Sequence, residues 1–148
     1  MKDTVELDEA VYAFKNLSPE DKAAFVKLND KIQTHSGKWS IQKGGEKNAD
    51  GSIQMPWMQS DPIVWEFINF MQVKNLLPFF DWVKWHKGSE LFTSTDKNKF
   101  DNIDIETALK LIYAATRKER FADGTISRAF ESGGFVKLVG RLRELQDD

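Results

Sequence analysis

The chain has 148 residues, 41% hydrophobic and 30% charged, with a net charge of −2 and no cysteine. That length and balance predict one compact domain with a core of its own, and they exclude a disordered chain. The missing thiols exclude disulfides and cysteine-bound metal or redox centres, and with only His35 and His86 as imidazoles no imidazole-built metal site is expected; counting residues does not dismiss carboxylate-bound Mg²⁺ or Ca²⁺, and no metal or other cofactor is assigned.

The start, Met1 to Glu6, is acidic and has no apolar stretch, so no secretory signal is expected, and no run approaches the length of a membrane span. A cytoplasmic location is the expectation. Five Trp and eleven Phe predict a core dominated by aromatic packing.

Val5, Leu7, Val11, Phe14 and Leu17 recur at near-helical spacing and predict a short amphipathic helix. Ser18-Pro19-Glu20-Asp21 reads as a cap, a Pro at the first helical position and acids in the first turn. A second helix should follow to about His35, with Gly37 as its stop. Residues 1–36 thus form a helical pair.

Residues 38–57 break the helical pattern. Trp39-Ser40-Ile41-Gln42 and Ser52-Ile53-Gln54-Met55 alternate in character around a polar, Gly-rich stretch from Gly44 to Gly51, which predicts a β-hairpin. A lone hairpin is marginal in water, so its apolar side, Trp39, Ile41, Ile53 and Met55, is expected to lie on the helices. The tip lacks the Gly-Lys-Ser/Thr ending of a phosphate loop.

A helical body is predicted over 61–146. Asp61-Pro62 opens a helix whose apolar surface (Ile63, Val64, Phe67, Ile68, Phe70, Met71) is wide enough for a central position, and Leu76-Leu77-Pro78 should break it. Asp81 is placed to cap a short helix carrying Trp82, Trp85 and His86, an aromatic group best read as packing. Thr93 to Lys99 is a polar connector that can hold a helical turn. Asp104 caps a further helix with Ile105, Leu109, Ile112 and Thr116 inward and a Glu106–Lys110 pair outside. Gly124 suits a helix stop, Asp123 or Thr125 can cap the next helix, and Gly133-Gly134 precedes a last one with Phe135, Leu138, Val139, Leu142 and Leu145 on one face. The fold class is therefore mainly α, a compact multi-helix domain with one β-hairpin packed on the helices.

Charge is uneven along this body. Between Lys110 and Arg143 stand eight cations and three anions, whereas acids collect at the N-terminus. No Ser-His-Asp order, paired metal spacing or dinucleotide fingerprint appears, so no catalytic residue is assigned. The residues able to hold a ligand are Trp39, Gln54, Trp57, Arg117, Arg120 and Glu131. Arginine grips phosphate or carboxylate in bidentate fashion and stacks on aromatic rings, and Glu131 can serve as a base. The plainer expectation is that Arg117 or Arg120 pairs with Glu131 to brace the helices.

Arg117-Lys118-Glu119-Arg120-Phe121-Ala122-Asp123-Gly124, followed by Phe130-Glu131-Ser132-Gly133 and a Leu-rich basic helix, resembles the end of a mainly bacterial family catalogued as a domain of unknown function (six-five-zero-eight). Ile53-Gln54-Met55-Pro56, Pro78-Phe79-Phe80-Asp81-Trp82 and Asp104 are similar to its earlier landmarks, so the likeness spans roughly residues 37–145. Glu119 stands where the family pattern leads one to expect Asp. The resemblance implies a small, mostly helical bacterial domain and carries no activity, substrate or cofactor.

Absent a catalytic constellation, the leading expectation is a non-enzymatic interaction or regulatory module with a protein partner, since Trp and Arg are the side chains most able to anchor an interface. The alternative is a pocket for a small phosphate- or carboxylate-bearing ligand, with or without hydrolytic chemistry, built from Arg117, Arg120 and Glu131. Nucleic acid is not the expected partner, because Lys137, Arg141 and Arg143 make too small a footprint.

Overall fold

A computed structural model describes residues 5–85, 87–88 and 97–146. Its helices among these are α1 (Leu7–Lys15), α2 (Pro19–Gln33), α3 (Pro62–Val73), α4 (Ile105–Glu119), α5 (Thr125–Glu131) and α6 (Gly134–Gln146), with a 3-10 turn at Lys97–Phe100. Strands β1 (Ser40–Lys43) and β2 (Trp57–Ser60) pair antiparallel between α2 and α3. The protein is mainly α with a minor β component, and none of the described helices is long and apolar enough to cross a membrane.

The helix starts follow the capping residues. Ser18 Oγ accepts the Asp21 amide at 3.1 Å, Asp61 Oδ1 the Ile63 amide at 3.0 Å, and Asp104 Oδ1 the Thr107 amide at 2.8 Å, each taking up a donor that the first turn leaves without an intrahelical partner. The end of α3 is set before the Leu-Leu-Pro break. Asn75 adopts a left-handed φ of 59°, its amide bonds Gln72 O at 3.1 Å and the Leu76 amide bonds Met71 O at 2.9 Å, the paired closure that ends many helices.

The central helix is α4 rather than α3. It buries Thr107, Ala108, Leu109, Leu111, Ile112, Tyr113, Ala114 and Ala115, and it meets α1, α5 and α6, while α2 lies against α3 and α6. Three alanines let neighbouring helices close in on almost every side, a contribution that a count of large apolar residues overlooks. Aromatic rings knit the core: Phe14 meets Phe25 edge-on at 6.0 Å, and Phe130 meets Phe67 at 5.9 Å and Phe135 at 5.6 Å.

The hairpin departs from expectation in register and in facing. Ser40 pairs with Ser60 and Lys43 with Trp57, so the second strand begins at Trp57 instead of Ser52. Pro56 has no N–H to give a ladder, and opposite it Gly44 turns with φ 78°, where an added Cβ would lie 2.6 Å from Met55 O. Beyond that kink a second, looser pairing joins Lys47 to Ile53. Of the four residues expected against the helices only Trp39 is buried, whereas Ile41, Ile53 and Met55 face water. Other residues make the contact instead: buried Ser127 hydrogen-bonds Ser60 through the two hydroxyls, and Met58 packs beside Gly124.

The short helix expected after Asp81 is not formed over the described residues 82–85. Trp82 to Trp85 form a turn closed by the Trp85 amide on Trp82 O at 3.3 Å. His86 and the connector from Thr93 to Asp96 lie outside the described residues.

Candidate functional site

Four of the six residues singled out in the sequence fall in two regions, the root of the hairpin (Trp39 and Glu131) and its outward limb (Gln54 and Trp57), while Arg117 and Arg120 lie at the end of α4. At the root, Trp39 is buried between His35, stacked at 3.8 Å, and Phe130, stacked at 4.9 Å. Its amide donates to Glu131 Oε2 at 2.9 Å and its carbonyl accepts from the Asp61 amide at 2.7 Å. One residue therefore joins the ends of α2, α3 and α5 to the start of β1, with every backbone polar group satisfied as burial requires.

His35 completes this root. Its Nε2 lies 3.3 Å from Asp61 Oδ2, and its Nδ1 is buried with no hydrogen-bond partner. With Nε2–H as the donor to the carboxylate, the orphan Nδ1 is a bare lone pair, which is cheaper to bury than an unmet N–H. Asp61 thus serves twice, through Oδ1 as the cap of α3 and through Oδ2 as the partner of His35.

The anticipated Arg–Glu brace is not formed. Among the described residues no ion pair joins Arg117 or Arg120 to Glu131, whose carboxylate is taken by the Trp39 amide. Arg120 caps the end of α4 and is exposed; Arg117 is half-buried, with an Nε that finds no partner. Trp39 and Glu131 are brought together, while Gln54 and Trp57 sit on the exposed limb.

Sequence reasoning missed the acid that does organise the corner. Glu119 Oε2 accepts the Gly124 amide at 2.5 Å and Oε1 the Ile126 amide at 2.9 Å. Gly124, left-handed with φ 85°, is the N-cap of α5 and has no side chain to cap with, so a carboxylate from the preceding helix takes that task. The signal was present as an acid five residues before a glycine at a helix junction, but its reach across the turn is a tertiary fact. The corner between α4 and α5 is thus closed by backbone amides on the Glu119 carboxylate. Lys110 has an equally local role: its Nζ lies 5.0 Å from the Phe80 ring, 5.2 Å from the Trp85 ring and 3.9 Å from Glu106.

The outward limb is chemically different. Residues 51–60 hold no charged side chain, and Ile53, Met55 and Trp57 are 69%, 83% and 46% exposed, with Ile41 of β1 at 47%. In β2 the exposed residues are Trp57 and Gln59, while Met58 and Ser60 turn inward. A large apolar face is thus held in water on an arm whose root is fixed by hydrogen bonds and stacked rings. Among the described residues no group of three or more His, Asp or Glu side chains is placed to hold a metal ion.

A family model described as a family of unknown function (DUF6508) matches residues 17–148. No curated protein and no solved structure matches the chain.

Proposed function

The chain belongs to that family of unknown function, and from this premise we propose that it is a protein-interaction module that docks a macromolecular partner on the outward limb of its hairpin. The observation that supports this reading is the limb itself: three large apolar side chains, Ile53, Met55 and Trp57, exposed within ten uncharged residues of a chain that is 30% charged. Exposed apolar surface of this kind carries a cost in solubility that folding does not require, and covering it is what an interface does. Trp57 is the anchor, since a half-exposed Trp on a fixed backbone offers large area with little entropy to lose.

The root supplies the rigidity that such a platform needs. A hairpin of two four-residue strands does not hold its shape alone, and here Trp39, Glu131, Asp61 and the Ser60–Ser127 pair fix it to the body. The test is a comparison of the wild type with Met55→Ser/Trp57→Ser in cross-linked capture from the source cell. The variant is expected to melt with the wild type and to lose the captured partner; equal capture by a folded variant overturns the reading.

A further inference from the structure

The side chains across from the apolar limb specify the chemistry of what covers it. In the ladder Lys43 is the cross-strand partner of Trp57, and at the distal bridge Lys47 is the partner of Ile53. Two of the exposed apolar residues therefore each have a lysine directly opposite, at the spacing of about 4.5–5.5 Å between paired backbones. Strands 40–43 and 57–60 hold no carboxylate. Of the two acids nearer the tip, Asp50 is engaged by the Ser52 amide at 2.9 Å and hydroxyl at 2.6 Å, which leaves Glu46 beside Lys47.

Two lysines thus stand across from two of the exposed apolar residues along one arm. The outer edges of both strands are also open, since no backbone hydrogen bond joins 40–43 or 57–60 to any segment other than each other among the described residues. An extended segment meets both conditions, because its side chains alternate with period two and its backbone can add to a free edge.

Resting on the docking reading above, we infer that the partner presents an acidic segment in extended form, its apolar side chains covering Ile53, Met55 and Trp57 and its carboxylates meeting Lys43 and Lys47. The lysines supply selection and attraction at a distance, and the apolar residues supply the hold. Without an anion opposite, covering the limb strips water from the lysine heads with no return.

The experiment is fluorescence anisotropy with two labelled peptides of equal length, one alternating Glu with Leu and the other Lys with Leu. Both are titrated with the full chain, with Lys43→Glu/Lys47→Glu, and with Met55→Ser/Trp57→Ser. The wild type is expected to prefer the Glu peptide by on the order of tenfold, less so at higher salt, and the lysine-reversed variant to prefer the Lys peptide. Equal affinity for the two peptides, no binding of the Glu peptide, a preference that the reversal leaves unchanged, or a single-stranded oligonucleotide that displaces the peptide at lower concentration overturns the inference. The serine variant separates the two levels. If it loses binding while charge reversal has no effect, the acidic partner falls and the docking reading stands; if it binds as the wild type does, both fall.

Discussion

The Trp39 amide and the Glu131 carboxylate, 92 positions apart in sequence, meet at 2.9 Å and tie the hairpin root to the end of α5. Removing the acceptor leaves a backbone N–H at the edge of the core without its partner. Glu131→Ala is expected to cost about 1–2 kcal/mol, a fall in Tm of about 2–4 °C per kcal/mol for a chain of this size. Glu131→Gln keeps an acceptor oxygen and should lose less. A Glu131→Ala protein that melts with the wild type would show that the bond contributes nothing.

The second prediction concerns the corner between α4 and α5, where Glu119 accepts two amides and Arg120 is exposed. Glu119→Ala is expected to lower stability by about 1–2 kcal/mol, comparable to losing a strong helix cap, with an unchanged denaturant m-value. Arg120→Ala should stay within about 0.5 kcal/mol of the wild type. Urea titrations of both variants decide the matter, and a larger loss for the arginine than for the glutamate would refute the assignment.

Where local chemistry fixes structure, the sequence was readable. Ser18-Pro19, Asp61-Pro62 and Asp104 announce three helix starts because a capping oxygen, joined in the first two by a Pro at the first position, acts within one turn. The hairpin was legible as a hairpin but not in register. Alternation suggested Ser52 to Met55 as the second strand, while the ladder is set by Pro56 and Gly44 and by serines small enough to meet the body. The basic stretch misled for a related reason. Its arginines draw the eye, yet the residue that fixes the corner is Glu119, whose role depends on where two distant amides fall once α4 and α5 have packed. Trp39 and Glu131 both stand among the candidate residues, and their mutual bond is not foreseeable from either neighbourhood.

Gly44 offers a test of the kink. Its φ of 78° is unfavourable to any L side chain, and a Cβ would meet Met55 O at 2.6 Å, a backbone atom that cannot swing aside. Gly44→Ala should therefore loosen the hairpin rather than the core. Amide exchange is expected to rise at residues 40–47 and 53–60 while the α4 amides keep their protection. Unchanged exchange along both limbs would mean that the arm tolerates the side chain and that its shape is not set there.

The last prediction is a pH dependence at the start of the central helix. Asp104 Oδ1 accepts the Thr107 amide at 2.8 Å, and hydrogen bonding from Thr107, by its side chain first and its amide second, holds the Asp104 carboxyl below its ordinary value, with Lys87 adding a smaller pull. A carboxyl depressed in the folded state stabilises the fold at pH above its unfolded value of about 3.9, and that stabilisation is lost as pH falls toward the lower folded value. At neutral pH Asp104→Ala is expected to cost about 1 kcal/mol as a lost cap. As pH drops below about 4 the wild type should lose its advantage and the two melting curves should converge. A gap between wild type and Asp104→Ala that is the same at pH 7 and in the acid range would show that the cap works without its charge.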